Sequence, residues 1–230
     1  MVKIYIDPGH GGNDPGAVAN GLREKDLTLK IGLKLRDYLS GYENVQIRMS
    51  RTTDKTVSLS ERTNDANKWG ADLFVSIHIN AGGGVGFESF VYNGLKKGSK
   101  TDQIRNKIHD KIVAQKVFSK DRGKKFANYH VLRETKMAAC LTENGFIDNA
   151  TDAALLKKDA NLDKIAKGHA EGIAAAFGLK KKASAKPTPS NAKTFYRVVT
   201  GSFADRKNAE ARVAALKKAG FDSFIDVYKK

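Results

Sequence analysis

Apolar residues recur along most of this chain in two alternating rhythms. Short runs rich in β-branched and aromatic residues at 2–6, 45–49, 73–78, 86–92 and 138–143 predict strands. Between them, apolar positions fall every third or fourth residue. Leu27, Ile31, Leu35 and Leu39 predict the buried face of a first helix that ends at Gly41. Ile104, Ile108 and Ile112 predict another over about 102–117, and Leu162, Ile165, Ile173 and Phe177 one over about 161–177. Ser58-Leu59-Ser60-Glu61 has the spacing of a capping box, in which serine and glutamate satisfy each other's end of a helical first turn. Strands alternating with helices predict an α/β domain: a mainly parallel, twisted sheet of about five or six strands flanked by helices.

The rhythm stops at 180–193. This stretch is built from small and cationic residues with two prolines, Pro187 and Pro189, and reads as a linker. Beyond it, a strand over 195–200, an alanine-rich helix over 205–219 ending at Gly220, and a strand over 221–227 predict a small C-terminal βαβ unit. The expected organisation is a catalytic-sized domain at 1–179, a linker at 180–193 and a small module at 194–230. The module lies below the ~40 residues at which single domains usually need help to fold. It is expected to dock on the larger domain or to pair weakly with a copy of itself.

Composition narrows the class. Of 230 residues, 40% are hydrophobic and 29% charged, which excludes wholesale disorder. No apolar run approaches the ~20 residues of a membrane span. The N-terminus passes from a strand-like run straight into Asp7-Pro8-Gly9-His10, without the features of a signal peptide. Synthesis in the cytoplasm, with action elsewhere after lysis or another export route, is therefore expected. The single Cys140 sits in an apolar run and reads as a core residue. The formal net charge of +16 points to a polyanionic partner: nucleic acid, an anionic membrane surface or a phosphate-rich wall polymer. From Lys180 onward there are 13 Lys/Arg against 4 Asp/Glu, and before it 28 against 21, so the tail is the more basic part.

The chemistry-bearing residues stand at the ends of the predicted strands. His10 follows the first, His78 ends the third and Glu143 ends the last, while Glu24 lies just before the first helix. In open α/β sheets the carboxyl ends of the strands form the reaction crevice. Two histidines and a carboxylate can hold zinc with one position left for water, and a further acid then moves the proton. A plainer reading stays open, with His10 a loop histidine and Glu24 an acid favoured by the helix dipole. The glycines around His10 lack the spacing of a nucleotide-binding loop.

Five motifs go further. Asp7-Pro8-Gly9-His10-Gly11-Gly12, then Glu24, then Ser76-Ile77-His78-Ile79-Asn80-Ala81, then Val131-Leu132-Arg133-Glu134-Thr135, then Thr142-Glu143-Asn144-Gly145-Phe146, in that order, resemble the zinc-dependent N-acetylmuramoyl-L-alanine amidase family. That family includes sporulation autolysins and phage endolysins. The resemblance covers nearly all of 2–178. It implies hydrolysis of the amide between the lactyl group of N-acetylmuramic acid and the first stem-peptide residue. It also implies Zn2+ held by His10, Glu24 and His78, Glu143 as the catalytic glutamate, and Asn80 beside the site, orienting substrate. Ala138 departs from the pattern, since relatives often carry proline there.

The tail, through Tyr196-Arg197-Val198-Val199-Thr200-Gly201-Ser202-Phe203, Asn208-Ala209-Glu210 and Gly220-Phe221, resembles half of a sporulation-related repeat. This implies peptidoglycan and anionic wall polymers as partners, with neither specific nucleic-acid binding nor membrane insertion. A zinc peptidase cutting within the stem peptide, or a basic polyanion-binding protein, is the alternative. Of the remaining candidates, His169 reads as a helix-packing residue and His109 as solvent-facing. His130 reads as mainly structural and Glu134 as a surface salt-bridge partner, while Arg62 and Arg133 are weaker candidates for contacting stem-peptide carboxylates.

Overall fold

The computed structural model describes residues 1–182, 203–221, 223 and 225. The first apolar run forms β1 (Val2–Pro8). A loop follows in which β2 (Val18–Ala19) and β3 (Leu22–Arg23) pair antiparallel before α1 (Glu24–Ser40) begins. Next come β4 (Val45–Met49), α2 (Leu59–Trp69), β5 (Leu73–Asn80) and β6 (Phe87–Tyr92). After these the chain forms α3 (Lys100–Val113), β7 (Asp121–Ala127), the single turn α4 (His130–Arg133) and β8 (Ala138–Phe146). Helices α5 (Ala150–Leu156) and α6 (Asp159–Phe177) close this part, and α7 (Arg206–Lys218) lies beyond it.

Six strands form one sheet in the order β4-β1-β5-β8-β6-β7. The first four are parallel, β6 runs antiparallel to β8, and β7 runs parallel to β6. Side chains alternate between faces along each strand. On one face Ile4, Ile6, Val75, Ile77 and Cys140 pack against Leu27, Ile31 and Leu35 of α1, Ile104 and Ile108 of α3, and Ile165 and Ile173 of α6. On the other, Tyr5, Phe74, Phe90 and Leu141 meet Ala66 of α2 and Val131 and Leu132 of α4. Toward the carboxyl ends of β1, β5 and β8 this second face turns polar, with Asp7, Ser76, His78, Asn80 and Glu143 on it.

Local chemistry sets the helix ends. Ser58 accepts from Glu61 N while Glu61 caps Ser58 N, the reciprocal box that the sequence predicts. Helix α3 stops at Val113, short of the expected 117, because Lys116 takes a left-handed backbone at φ 53°. His109 corrects the sequence reading. It is 1% exposed, with Nδ1 2.8 Å from Ser89 Oγ and Nε2 2.9 Å from Asp121 Oδ1. Because α3 packs on both the sheet and α6, its buried arc is wider than the isoleucine stripe and takes in His109. His169 is buried as expected, between Thr142 Oγ1 and Ile165 O, and burial pushes its imidazole pKa down to about 4. Burial likewise pushes the Cys140 thiol up to about 12.

Two compact units are distinguished, Met1–Ala183 and Ser184–Lys230. Glu43 N donates to Lys180 O and Lys182 N to Gly41 O, so the first three residues of the expected linker are tied to the end of α1. In the second unit, Asp205 caps α7 by accepting from Lys207 N. The strand expected at 195–200 lies outside the described residues, as does most of that at 221–227. No helix among the described residues is long and apolar enough to cross a membrane.

Candidate metal centre and active site

Four elements deliver the candidate residues to one place. Beyond β1 the backbone enters a glycine-flanked turn in which His10 itself adopts φ 61°, a left-handed conformation uncommon for residues other than glycine. This aims its ring at the carboxyl end of the sheet. Glu24 opens α1, and His78 lies near the end of β5. Glu24 Oε1 lies 3.1 Å from His10 Nε2 and 3.0 Å from His78 Nδ1. Donor atoms of these three residues all lie within 4.8 Å of one another. Ligands about 2.0–2.1 Å from a tetrahedral metal are roughly 3.3 Å apart, so the set fits a zinc-sized ion.

The surroundings hold the donors in place. Asp14 Oδ2 lies 2.8 Å from His10 Nδ1, the carboxylate-to-imidazole contact that orients metal-binding histidines. Glu24 also accepts from Ala17 N at 2.9 Å and from Ile79 N at 3.0 Å. Burial alone would lower the pKa of His10, but its contacts with Glu24 and Asp14 outweigh burial and raise it. Burial alone would raise Glu24, yet the hydrogen bonds and charges of His10 and His78 take its carboxyl far below the ordinary range. Two glycines make room. A Cβ on Gly9 would meet the His78 ring at 2.3 Å, and one on Gly16 would meet Glu24 Oε2 at 2.6 Å.

Glu143 lies on β8 in register with His78 of β5 and opposite Glu88 of β6. Its Oε2 is buried with no hydrogen-bond partner among the described residues. Burial first, then the charges of Glu24 and Glu88, raise its carboxyl well above the usual range. Asn80, two residues beyond His78 on the same face, donates to Glu88 Oε1 at 2.7 Å. The sequence-predicted residues His10, Glu24, His78, Asn80 and Glu143 therefore converge.

Arg62 does not face the groove. Its Nη1 is 2.7 Å from Asp7 Oδ1, both side chains are at most 4% exposed, and it donates to the carbonyls of Pro8 and His10. Arg51, also buried, donates to Pro8 O, Gly9 O and Lys25 O. These two arginines fix the backbone on which His10 sits, and sequence reasoning missed the role of both. Arg133 pairs with the exposed Glu134 at 2.7 Å, as expected for a surface pair. His130 starts α4 with its Nε2 buried and without a hydrogen-bond partner among the described residues. Asp14 and Glu88 were also missed. Their signals were an acid four residues from His10 and a lone acid in an apolar strand.

Comparison with known proteins agrees with this geometry. The N-acetylmuramoyl-L-alanine amidase family matches residues 4–175, and the SPOR domain family matches residues 163–226. The second match begins inside α6, which packs in the first unit. The chain is 52% identical to N-acetylmuramoyl-L-alanine amidase CwlM of Bacillus licheniformis, over 98% of this chain and 85% of that protein. It is 50% identical to the sporulation-specific N-acetylmuramoyl-L-alanine amidase of Bacillus subtilis, over 98% and 84%. The crystal structure of an N-acetylmuramoyl-L-alanine amidase from Clostridium difficile 630 superposes with TM-score 0.73 at 35% identity, covering 77% of this chain and 97% of that one. With its sheet, its convergent His/Glu/His set and these matches, the chain belongs to the N-acetylmuramoyl-L-alanine amidase family.

Proposed function

We propose that this protein hydrolyses the amide joining the lactyl group of N-acetylmuramic acid to L-alanine in peptidoglycan, with zinc held by His10, Glu24 and His78 and with Glu143 carrying the proton. The observation that supports this most is the His/Glu/His donor set, beside which a buried carboxylate oxygen on the adjacent strand has no partner among the described residues. When bound, zinc supplies Lewis-acid polarisation of the amide carbonyl and lowers the pKa of water to about 7.

The remaining roles fall to the chain itself. Glu143 takes the proton of the attacking water and gives it to the departing L-alanine nitrogen, which would otherwise be a poor leaving group. Burial and the charges of Glu24 and Glu88 raise its carboxyl, so it takes up that proton more readily than an exposed glutamate would. Asp14 fixes the His10 ring, and Asn80, braced by Glu88, orients the substrate.

The C-terminal module, 194–230, retains the enzyme on peptidoglycan and its anionic polymers as a half repeat. The linker, 180–193, joins it to the catalytic domain, 1–179. The enzyme is a monomer or weak dimer that reaches the wall after release from the cytoplasm. Mass spectrometry of the soluble products from purified Gram-positive peptidoglycan tests the reaction. Intact stem peptides with a free L-alanine amino terminus, lost on chelation, are expected; cleavage inside the peptide, or release insensitive to chelator, would overturn it.

A further inference from the structure

Beyond Glu143 and Glu88 the polar face continues across the sheet to β7. In the row His78, Glu143, Glu88, three neighbouring strands present ionisable side chains to the same side. On β7, the next strand, Arg122 and Lys125 both reach back to Glu88. Arg122 Nε donates to Glu88 Oε2 at 2.8 Å, and Lys125 Nζ bonds the same oxygen. Glu88 is only 4% exposed, whereas the side chains of Arg122 and Lys125 are 27% and 38% exposed. One buried carboxylate thus gathers two half-exposed cations and neutralises one of them, leaving a net positive charge beside the reacting groups. Arg122 Nη1 and Nη2 have no partner among the described residues, and the guanidinium lies 4.8 Å from the Phe146 ring centroid, which braces it.

We infer that Arg122 and Lys125 form a carboxylate-recognition subsite for the stem-peptide residue that follows L-alanine. This rests on the amidase reading and on Glu143 meeting the departing nitrogen. With the metal donors on one side of Glu143, the lactyl carbonyl lies on that side and the peptide continues over β6 toward β7. The reach agrees. Directly opposed antiparallel residues stand about 4.5–5.5 Å apart, and the next strand is about 4.8 Å farther. A peptide advances about 3.3–3.6 Å per residue, so a carboxylate on the second residue falls roughly 7 Å beyond the cut amide, within reach of both cations. A carboxylate presents two oxygens to the fork that Nη1 and Nη2 leave open.

The test uses two soluble muramoyl peptides identical except at the α-carboxyl group of the second residue, free in one and a primary amide in the other. The wild-type zinc-loaded enzyme is expected to prefer the acid by about tenfold or more in kcat/KM, expressed through KM. In R122Q/K125Q this ratio should fall toward one. Lys124→Gln removes a charge from the neighbouring side chain that pairs with Asp110, and it should keep the preference. Equal use of both peptides by the wild-type enzyme, a measurement that needs no variant, would overturn the subsite, as would an unchanged ratio in the double variant. Failure of the underlying reading looks different: neither peptide would then yield a product with a free L-alanine amino terminus.

Discussion

His10 is held in a left-handed backbone conformation, and the cost of that conformation is met by its surroundings. Arg62 and Arg51 together satisfy the carbonyls of Pro8, Gly9 and His10. Truncating Arg62 strands Asp7 as a buried, unpaired charge, so Arg62→Met should lower the unfolding free energy by about 3–5 kcal/mol in urea titrations. Replacing Asp7 by leucine in the same chain should recover part of the loss, and a cost below about 1 kcal/mol would show that the pair does not hold this loop. Gly9→Ala would place its new methyl 2.3 Å from the His78 ring, so the ring must move. Zinc affinity measured by calorimetry should then drop by about tenfold or more. Glu143→Gln keeps the shape while removing the proton carrier. It should bind zinc normally and lose about 10²- to 10⁴-fold in kcat; full activity would exclude Glu143 from the reaction. The apolar rhythm placed His10, Glu24, His78 and Glu143 beside strand ends and a helix start, and their proposed roles came from the motifs that resemble the amidase family. Asp14, Arg51 and Glu88 were missed. Asp14 had a local signal, four residues from His10, but the roles of Arg51 and Glu88 depend on contacts far along the chain, such as the 34 residues between Glu88 and Arg122.

Between elements, α3 and α6 approach closely. A Cβ added at Gly172 would lie 2.4 Å from Ile108 Cα, and one at Gly168 2.8 Å from Ile112 Cα. These glycines, one turn apart, let two helices meet backbone to backbone. Gly172→Ala gains about 1 kcal/mol of helix propensity but forces two backbones apart, an overpacking that typically costs about 1–3 kcal/mol or more. Because the obstacle is main chain and cannot rotate away, a net loss of thermal stability is expected; a raised melting temperature would mean that α6 slides at little cost. Helices α1, α3 and α6 were readable from their apolar stripes, α2 from its capping box and the four parallel strands from short apolar runs, whereas the short α4 and α5 carried no such signal. Strand β7 was not readable either, since Asp121-Arg122-Gly123-Lys124-Lys125 carries the charges that commonly guard an edge strand and so hides its period. His109 was misjudged for a related reason: a helix pressed between a sheet and another helix buries more than one stripe.

In the whole molecule, charge is divided unevenly. The 47 residues from Ser184 onward carry 10 Lys/Arg against 4 Asp/Glu, so +6 of the +16 lies outside the catalytic unit, in about a fifth of the chain. A basic tail raises the local concentration of enzyme on an anionic polymer without altering the chemistry of the site. Ending the chain at residue 183 should therefore leave turnover of a soluble muramoyl peptide within about twofold of the full chain. Binding to insoluble peptidoglycan should fall. If charge supplies that binding, the advantage of the full chain should shrink as salt rises, because the screening length contracts from about 10 Å at 0.1 M to about 3 Å at 1 M. A pelleting assay of both chains across that range decides the matter. An advantage that disappears at high salt assigns retention to the lysines, whereas one that persists requires shape-specific recognition of the wall by the half repeat. The second outcome would make the tail a receptor in its own right, and point substitutions in α7 would then weaken binding even where the charge is unchanged.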